Sequence, residues 1–472
     1  MTTFSLLATR AARPALALLG LSVGLAGCQA DIDAPSASPG PLDFTSYVAV
    51  GNSLTAGYSD GGLYNEAQAT SYPALLAQQF NTTGKGPVSF VQPAFSASKK
   101  DGSGYIQLRT VNGTLTPVPA TAANNYLGEQ IAYTGNRLPL PNATPPGSGA
   151  QELEAYAGVQ PDNLGVPGIS VLSADQTAAL TGSAAADASL RGAARIYGNL
   201  NNFYQRLLPA ADRGSKDYVT YIGQKTPTFF TCWMGNNDVL TYATNGGVFD
   251  AANPFSGLTD TTSFGRGYRN ILGTISKNGT VKGAVANIPA VANIPYFRTV
   301  TVAAVAAAFK AANAASPGVF IQTSSTTTPV RLATSADLLT LTAQAAVATG
   351  QGSTPSNPLP NQLVLDADEQ AAVLARTTQL NNIIAKTALR FKVPVVDMNT
   401  FFTSVGTTGV VANGVNNTTT FASGNIFSLD GVHPTPRGYA LVANEWIRVI
   451  NNYYGSTIQP VNPTSYRAVL FP

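Results

Sequence analysis

The sequence predicts an α/β chain in which a parallel sheet is covered by helices on both faces. Three observations lead there. Short apolar runs at Tyr47–Gly51 and at residues 228–234, 283–286 and 393–396 are bounded by turn residues and read as buried strands. Segments with helical periodicity separate them, and strands alternating with helices build a parallel sheet with two covered faces. Turns rich in glycine and asparagine follow these runs, and in such sheets the site lies at the carboxyl ends of the strands.

Taken in order, Tyr47–Gly51 is the first strand, ending in glycine. Asn52-Ser53-Leu54-Thr55 follows, then a helical or loop region to Pro73 and an amphipathic helix over residues 74–80. Residues 81–160 are rich in Gly, Pro, Asn and Thr and read as an insertion of loops and short strands, one of them at residues 88–91. Asn163-Leu164-Gly165-Val166-Pro167-Gly168 reads as a turn before a helix starting near Ser170, with a further helix at residues 193–208. The strand at 228–234 ends in Gly235-Asn236-Asn237-Asp238, and a helix is expected at 264–276. The strand at 283–286 closes with Asn287-Ile288-Pro289, and residues 298–360, rich in Ala, Thr and Ser, read as a second insertion placed to cap the site. Asp366-Ala367-Asp368-Glu369 fits a capping box. It opens a helix to Leu389, with Val373, Ile383, Ile384 and Leu389 expected on its buried face. Thr435 as N-cap and Pro436 at the first helical position open a last helix running towards Tyr454.

Residues 1–27 read as an export signal outside the fold. Arg10 and Arg13 precede a short apolar run that is too brief to span a bilayer. Leu25-Ala26-Gly27-Cys28 resembles a bacterial lipobox, which implies lipidation of Cys28, a flexible tether over residues 28–42 and a cell-envelope location, outer membrane or cell surface. One domain is then expected over residues 43–472, carrying both insertions. Loss of residues 1–27 leaves 25 basic residues against 24 acidic ones, and only 11% of the chain is charged. Nucleic-acid binding needs clustered cations, and none occur beyond Lys99-Lys100. A single histidine and the absence of a cysteine cluster argue against a zinc site, and no metal or cofactor is predicted; carboxylate calcium sites stay open. Cys232, within an apolar strand, reads as a core residue.

His433 is the chain's only histidine and so the one side chain able to shuttle a proton near neutral pH without a shifted pKa. Asp430 lies three residues before it, with Gly431 between them to let the backbone bend. A short turn there aims the carboxylate at one ring nitrogen and leaves the other as a base. Ser53 follows the first strand on a Gly-Asn-Ser turn that exposes its hydroxyl. Gly168 lets a backbone N–H approach a ligand, and Asn237 offers a side-chain amide. The N–H groups of Ser53 and Gly168 with the amide of Asn237 make an oxyanion hole if they converge. Individually each has a plainer role, as helix cap, turn glycine and loop amide. Their shared placement after candidate strands favours a common site.

These four blocks resemble those of the SGNH, or GDSL-type, hydrolases. The nucleophile block is Gly51-Asn52-Ser53-Leu54, the glycine block contains Gly168, the third block is Gly235-Asn236-Asn237-Asp238, and the last is Asp430-Gly431-Val432-His433. The resemblance implies a flavodoxin-like three-layer α/β/α sandwich with a five-strand core. It also implies ester hydrolysis through an acyl-serine, with Ser53, His433 and Asp430 as catalytic residues and Ser53, Gly168 and Asn237 around the oxyanion. Asn52 departs from the family's usual Asp, keeping the acceptor oxygen and the shape but losing a charge. No Gly-x-Ser-x-Gly elbow occurs, which argues against an α/β-hydrolase. Lipids, acetylated glycans and small esters all suit the family as substrates. The competing expectation is a surface lipoprotein that binds glycans or lipids without catalysis.

Overall fold

The structure, a computed structural model, describes residues 36–119, 153–174, 201–213, 216–250 and 255–472. Five strands form its central sheet: β1 (Tyr47–Gly51), β2 (Asn163–Gly165), β3 (Phe229–Trp233), β4 (Lys282–Ala286) and β5 (Val395–Val396). They pair in the order β5-β4-β3-β1-β2, and every pairing is parallel. β1 therefore lies between β2 and β3, with Gly51 opposite both Gly165 and Trp233. β1 and β3 are buried along their whole length, so they carry continuous apolar runs instead of alternating ones.

Six helices matter for the site: α1 (Ser53–Ala56), α2 (Tyr72–Thr82), α3 (Asn237–Thr244), α4 (Thr261–Ile275), α5 (Ala367–Arg390) and α6 (Pro436–Tyr454). The sheet is covered on both sides. α2 packs on α6, where the rings of Tyr72 and Trp446 stack with centroids 5.1 Å apart, and α4 packs on α5. α6 begins as the sequence predicts, with Pro436 in the first turn and the Thr435 hydroxyl accepting from the Gly438 N–H at 3.0 Å. The capping box at the start of α5 is also formed: Asp366 accepts from Glu369 N at 3.0 Å, and Glu369 from Asp366 N at 2.9 Å. Cys232 is fully buried.

Several expectations need correcting. Residues 163–165 form an edge strand as well as leading into a turn. Residues 88–91 form no strand, and Val88 is fully exposed. The Asp162 carboxylate takes the Val91 N–H at 2.9 Å, so a side chain occupies the donor that a sheet ladder would use. Leu389 is 79% exposed. It lies about 160° around α5 from Val373, whereas Leu380 and Ile384 share the Val373 face and are buried. Of the helix expected at 193–208, the described portion is the single turn Asn202–Gln205, and residues 193–200 lie outside the described residues.

The described part of the first insertion holds a hairpin, Ile106–Val111 with Thr114–Pro119. The second insertion carries its own small apolar cluster, in which Val305, Val319, Ile321, Leu339, Ala343 and Leu359 are buried together with Val364. It meets the rest of the fold beside Gly431. The Tyr296 N–H, just ahead of the insertion, donates to the Gly431 carbonyl at 2.9 Å, and Leu341 lies alongside. Among the described residues no helix is long and apolar enough to cross a membrane. The export segment and Cys28 lie outside the described residues.

Candidate active site

The carboxyl ends of three adjacent strands, β2, β1 and β3, carry Gly168, Ser53 and Asn237 on the segments that follow them. Close packing dictates the turn after β1. A Cβ on Gly51 would lie 2.0 Å from Thr55 Oγ1 and 2.7 Å from the Trp233 carbonyl oxygen, so only glycine fits. Asn52 then caps α1, its Oδ1 accepting from Leu54 N at 3.1 Å. That is the acceptor role an Asp would play. The remaining Asn52 Nδ2 is buried without a partner among the described residues. Ser53 opens α1 and is 7% exposed.

His433 comes from the opposite end of the sequence. The turn carrying it closes on itself, with Ser428 N donating to the His433 carbonyl at 2.8 Å and Gly431 N to the Ser428 carbonyl at 2.9 Å. Gly431 has φ +70°, and a Cβ there would press on the Tyr296 backbone nitrogen at 2.9 Å, so this glycine is required twice over. The turn places Asp430 Oδ2 2.8 Å from His433 Nδ1, and His433 Nε2 2.8 Å from Ser53 Oγ. Burial alone would raise the Asp430 pKa. The neighbouring His433 and the backbone N–H groups of His433 and Val432 outweigh it and hold the carboxyl below its usual range. An ionised carboxylate only accepts, so a neutral imidazole carries its proton on Nδ1 and presents the Nε2 lone pair to the serine hydroxyl.

Asn237 begins α3, and its Nδ2 donates to the Ile169 carbonyl at 2.8 Å. This bond fixes the amide and ties it to the residue after Gly168. Gly168 itself is exposed, and no described residue accepts from its N–H. The geometry thus joins Ser53, His433 and Asp430 by hydrogen bonds, and it joins Asn237 to the Gly168 segment.

The chain's match to a known family now decides its kinship: residues 47–446 fit the family model of the GDSL-like lipase/acylhydrolases. The chain belongs to that family. No curated protein and no solved structure matches it. Membership in the GDSL-like lipase/acylhydrolases supports a hydrolase function on ester or lipid-like substrates.

Around this GDSL-like site are contributors that sequence reasoning left without a role. The Tyr58 ring lies 4.7 Å from the imidazole, its hydroxyl donating to the Gly61 carbonyl at 2.6 Å. Asp238, the last residue of the third block, accepts from Val171 N at 2.8 Å and Leu172 N at 3.4 Å, anchoring the segment after Gly168. Burial pushes the Asp238 carboxyl up to about 6 against these bonds. Asp60 is the third, a buried acid whose Oδ1 accepts from Leu429 N at 3.0 Å, beside the turn that carries His433. Its place in the block was readable for Asp238. For Tyr58 and Asp60, nothing local marks the contact.

Proposed function

We propose that this chain is a serine-dependent carboxylic ester hydrolase that works through an acyl-serine intermediate. What carries the proposal is the unbroken hydrogen-bonded path from Ser53 Oγ through His433 to Asp430, each link 2.8 Å long. Ser53 Oγ attacks the ester carbonyl carbon while its proton passes to His433 Nε2. The imidazolium, held by Asp430, returns that proton to the departing alcohol oxygen as the carbon–oxygen bond breaks. Water then loses a proton to the same nitrogen and attacks the acyl carbon; the bond from that carbon to Ser53 Oγ breaks, the imidazolium returns the proton to Ser53 Oγ, and the acid leaves. The N–H groups of Ser53 and Gly168 and the Asn237 amide are assigned to the developing oxyanion. The hydrolytic domain is placed at residues 43–472, with insertions at about 81–160 and 298–360. Residues 1–27 are proposed as a signal, with lipidated Cys28 and a tether over residues 28–42 holding the enzyme at the bacterial cell envelope.

A fluorophosphonate probe tests the chemistry, because only an activated serine reacts with it. The expected adduct is on Ser53, and it is absent from Ser53→Ala. Labelling at another serine, or none while the protein stays folded, overturns the assignment. Turnover of esters of graded chain length beside an acetylated glycan identifies the acyl group.

A further inference from the structure

We propose that Asp60, held by Arg467, is a positioning residue for the reaction, fixing the turn that carries Asp430 and His433 relative to Ser53. The inference rests on the assignment of those three residues in the proposed function. The nucleophile and the base belong to segments 380 positions apart, so something other than chain connectivity must set their separation. Residues 59–61 do so by gripping the base turn on both sides of His433. Asp60 N donates to Ser428 Oγ at 2.8 Å, and Asp60 Oδ1 accepts from Leu429 N at 3.0 Å. Gly61 N donates to Asp430 Oδ2 at 2.9 Å, and Ser59 Oγ to the Pro434 carbonyl at 2.9 Å. The same loop starts from α1, where Tyr58 N donates to the Ser53 carbonyl at 3.0 Å. The path from nucleophile to base therefore runs through a few residues of tightly bonded backbone.

Asp60 is a buried acid that its partners must hold in place. It is 5% exposed and has φ +51°, in the left-handed region that non-glycine residues enter uncommonly. Burial raises its carboxyl pKa. A buried carboxylate is retained when it is paired and hydrogen-bonded. Its second oxygen accepts from Tyr64 OH at 2.8 Å. Arg467, from the segment after α6, donates to Tyr64 OH at 3.1 Å, pairs with Glu66 and brings its guanidinium to 3.9 Å from Asp60. The Arg467 carbonyl in turn accepts from Arg437 N at 2.9 Å, in the first turn of α6. The clamp thus runs from the turn that presents His433 to the first turn of α6.

Asp60→Ala, Asp60→Asn and Arg467→Gln test this by steady-state kinetics on an ester that the parent hydrolyses. Selective 15N-histidine labelling, which reports His433 alone, supplies the second readout. Asp60→Ala is expected to lower kcat roughly 10–100-fold with KM little changed, as misplacing catalytic groups does. Its Nδ1 proton signal should broaden through exchange with water. Asp60→Asn keeps an acceptor for Leu429 N and should recover part of kcat, and Arg467→Gln should lose less than Asp60→Ala. An unchanged kcat and imidazole signal in variants whose melting temperature has fallen would overturn the proposal, leaving Asp60 a stabilising residue only. If Asp60→Ala does not fold, Asp60→Asn and Arg467→Gln decide the same question. If the parent neither turns over esters nor labels at Ser53, the proposed function fails, while the imidazole signal still tests the clamp.

Discussion

The amide of Asn237 has one N–H committed to the Ile169 carbonyl and the other available to a ligand. In the proposed mechanism it donates only to charge that develops on the way to the acyl-serine. Asn237→Ala is therefore expected to lower kcat by roughly 10²–10³ with a smaller change in KM. A raised KM at constant kcat, measured on the same ester, would instead place the amide in ground-state binding. Its neighbour Asp238 governs a different observable. Burial takes its carboxyl from 3.8 to about 6. Between those pH values the folded protein holds a proton that the unfolded chain has released, so stability falls as pH rises through the window and levels off above it. The size of the effect is at most about 3 kcal/mol. Glu369, pushed up to about 7 mainly by burial, acts with the same sign over a slightly higher range. Urea unfolding at pH 4–7 should show the decline, and Asp238→Asn should flatten its lower part. Asp430 works in the opposite direction, because its lowered carboxyl supports the fold above pH 3.8 and ceases to do so as acid protonates it.

At the level of elements, the turn after β1 is the tightest constraint on the site. Gly51→Ala should displace Thr55 or the Trp233 carbonyl, shift Ser53 off His433 and abolish fluorophosphonate labelling together with a fall in melting temperature. Labelling that survives at the parent's rate would mean the turn tolerates a methyl group. This turn was legible from the sequence because an apolar run, a glycine and a capping residue stand side by side. The caps of α5 and α6 were legible for the same reason: their partners lie three residues apart. β2 was not, since three residues provide too short a run to show a period. The burial of Leu389 was misread because a five-residue step from Ile384 carries it off the apolar face. Asp60 was illegible because its partners Ser428 and Leu429 lie 368 and 369 positions away.

On the scale of the whole molecule, the sheet places the segments bearing Gly168, Ser53 and Asn237 at three neighbouring strand ends, and the turn before α6 supplies the rest. The proposed attachment is a separate matter, resting on the first 28 residues. Cys28→Ser is expected to prevent lipid labelling and to move the protein from the membrane fraction to the soluble one. Unchanged processing and membrane association would remove the lipoprotein proposal. The long separation of Ser53 from His433 also has a temporal side. Ribosomes extend chains at about 5–20 residues per second, so roughly 20–80 s pass between synthesis of Ser53, the proposed nucleophile, and synthesis of His433, its proposed base. Throughout that interval Ser53 is an ordinary hydroxyl. On the proposed mechanism, a chain interrupted between Ser53 and residue 433 carries that serine with no imidazole to activate it, so incomplete products are expected to be silent toward esters.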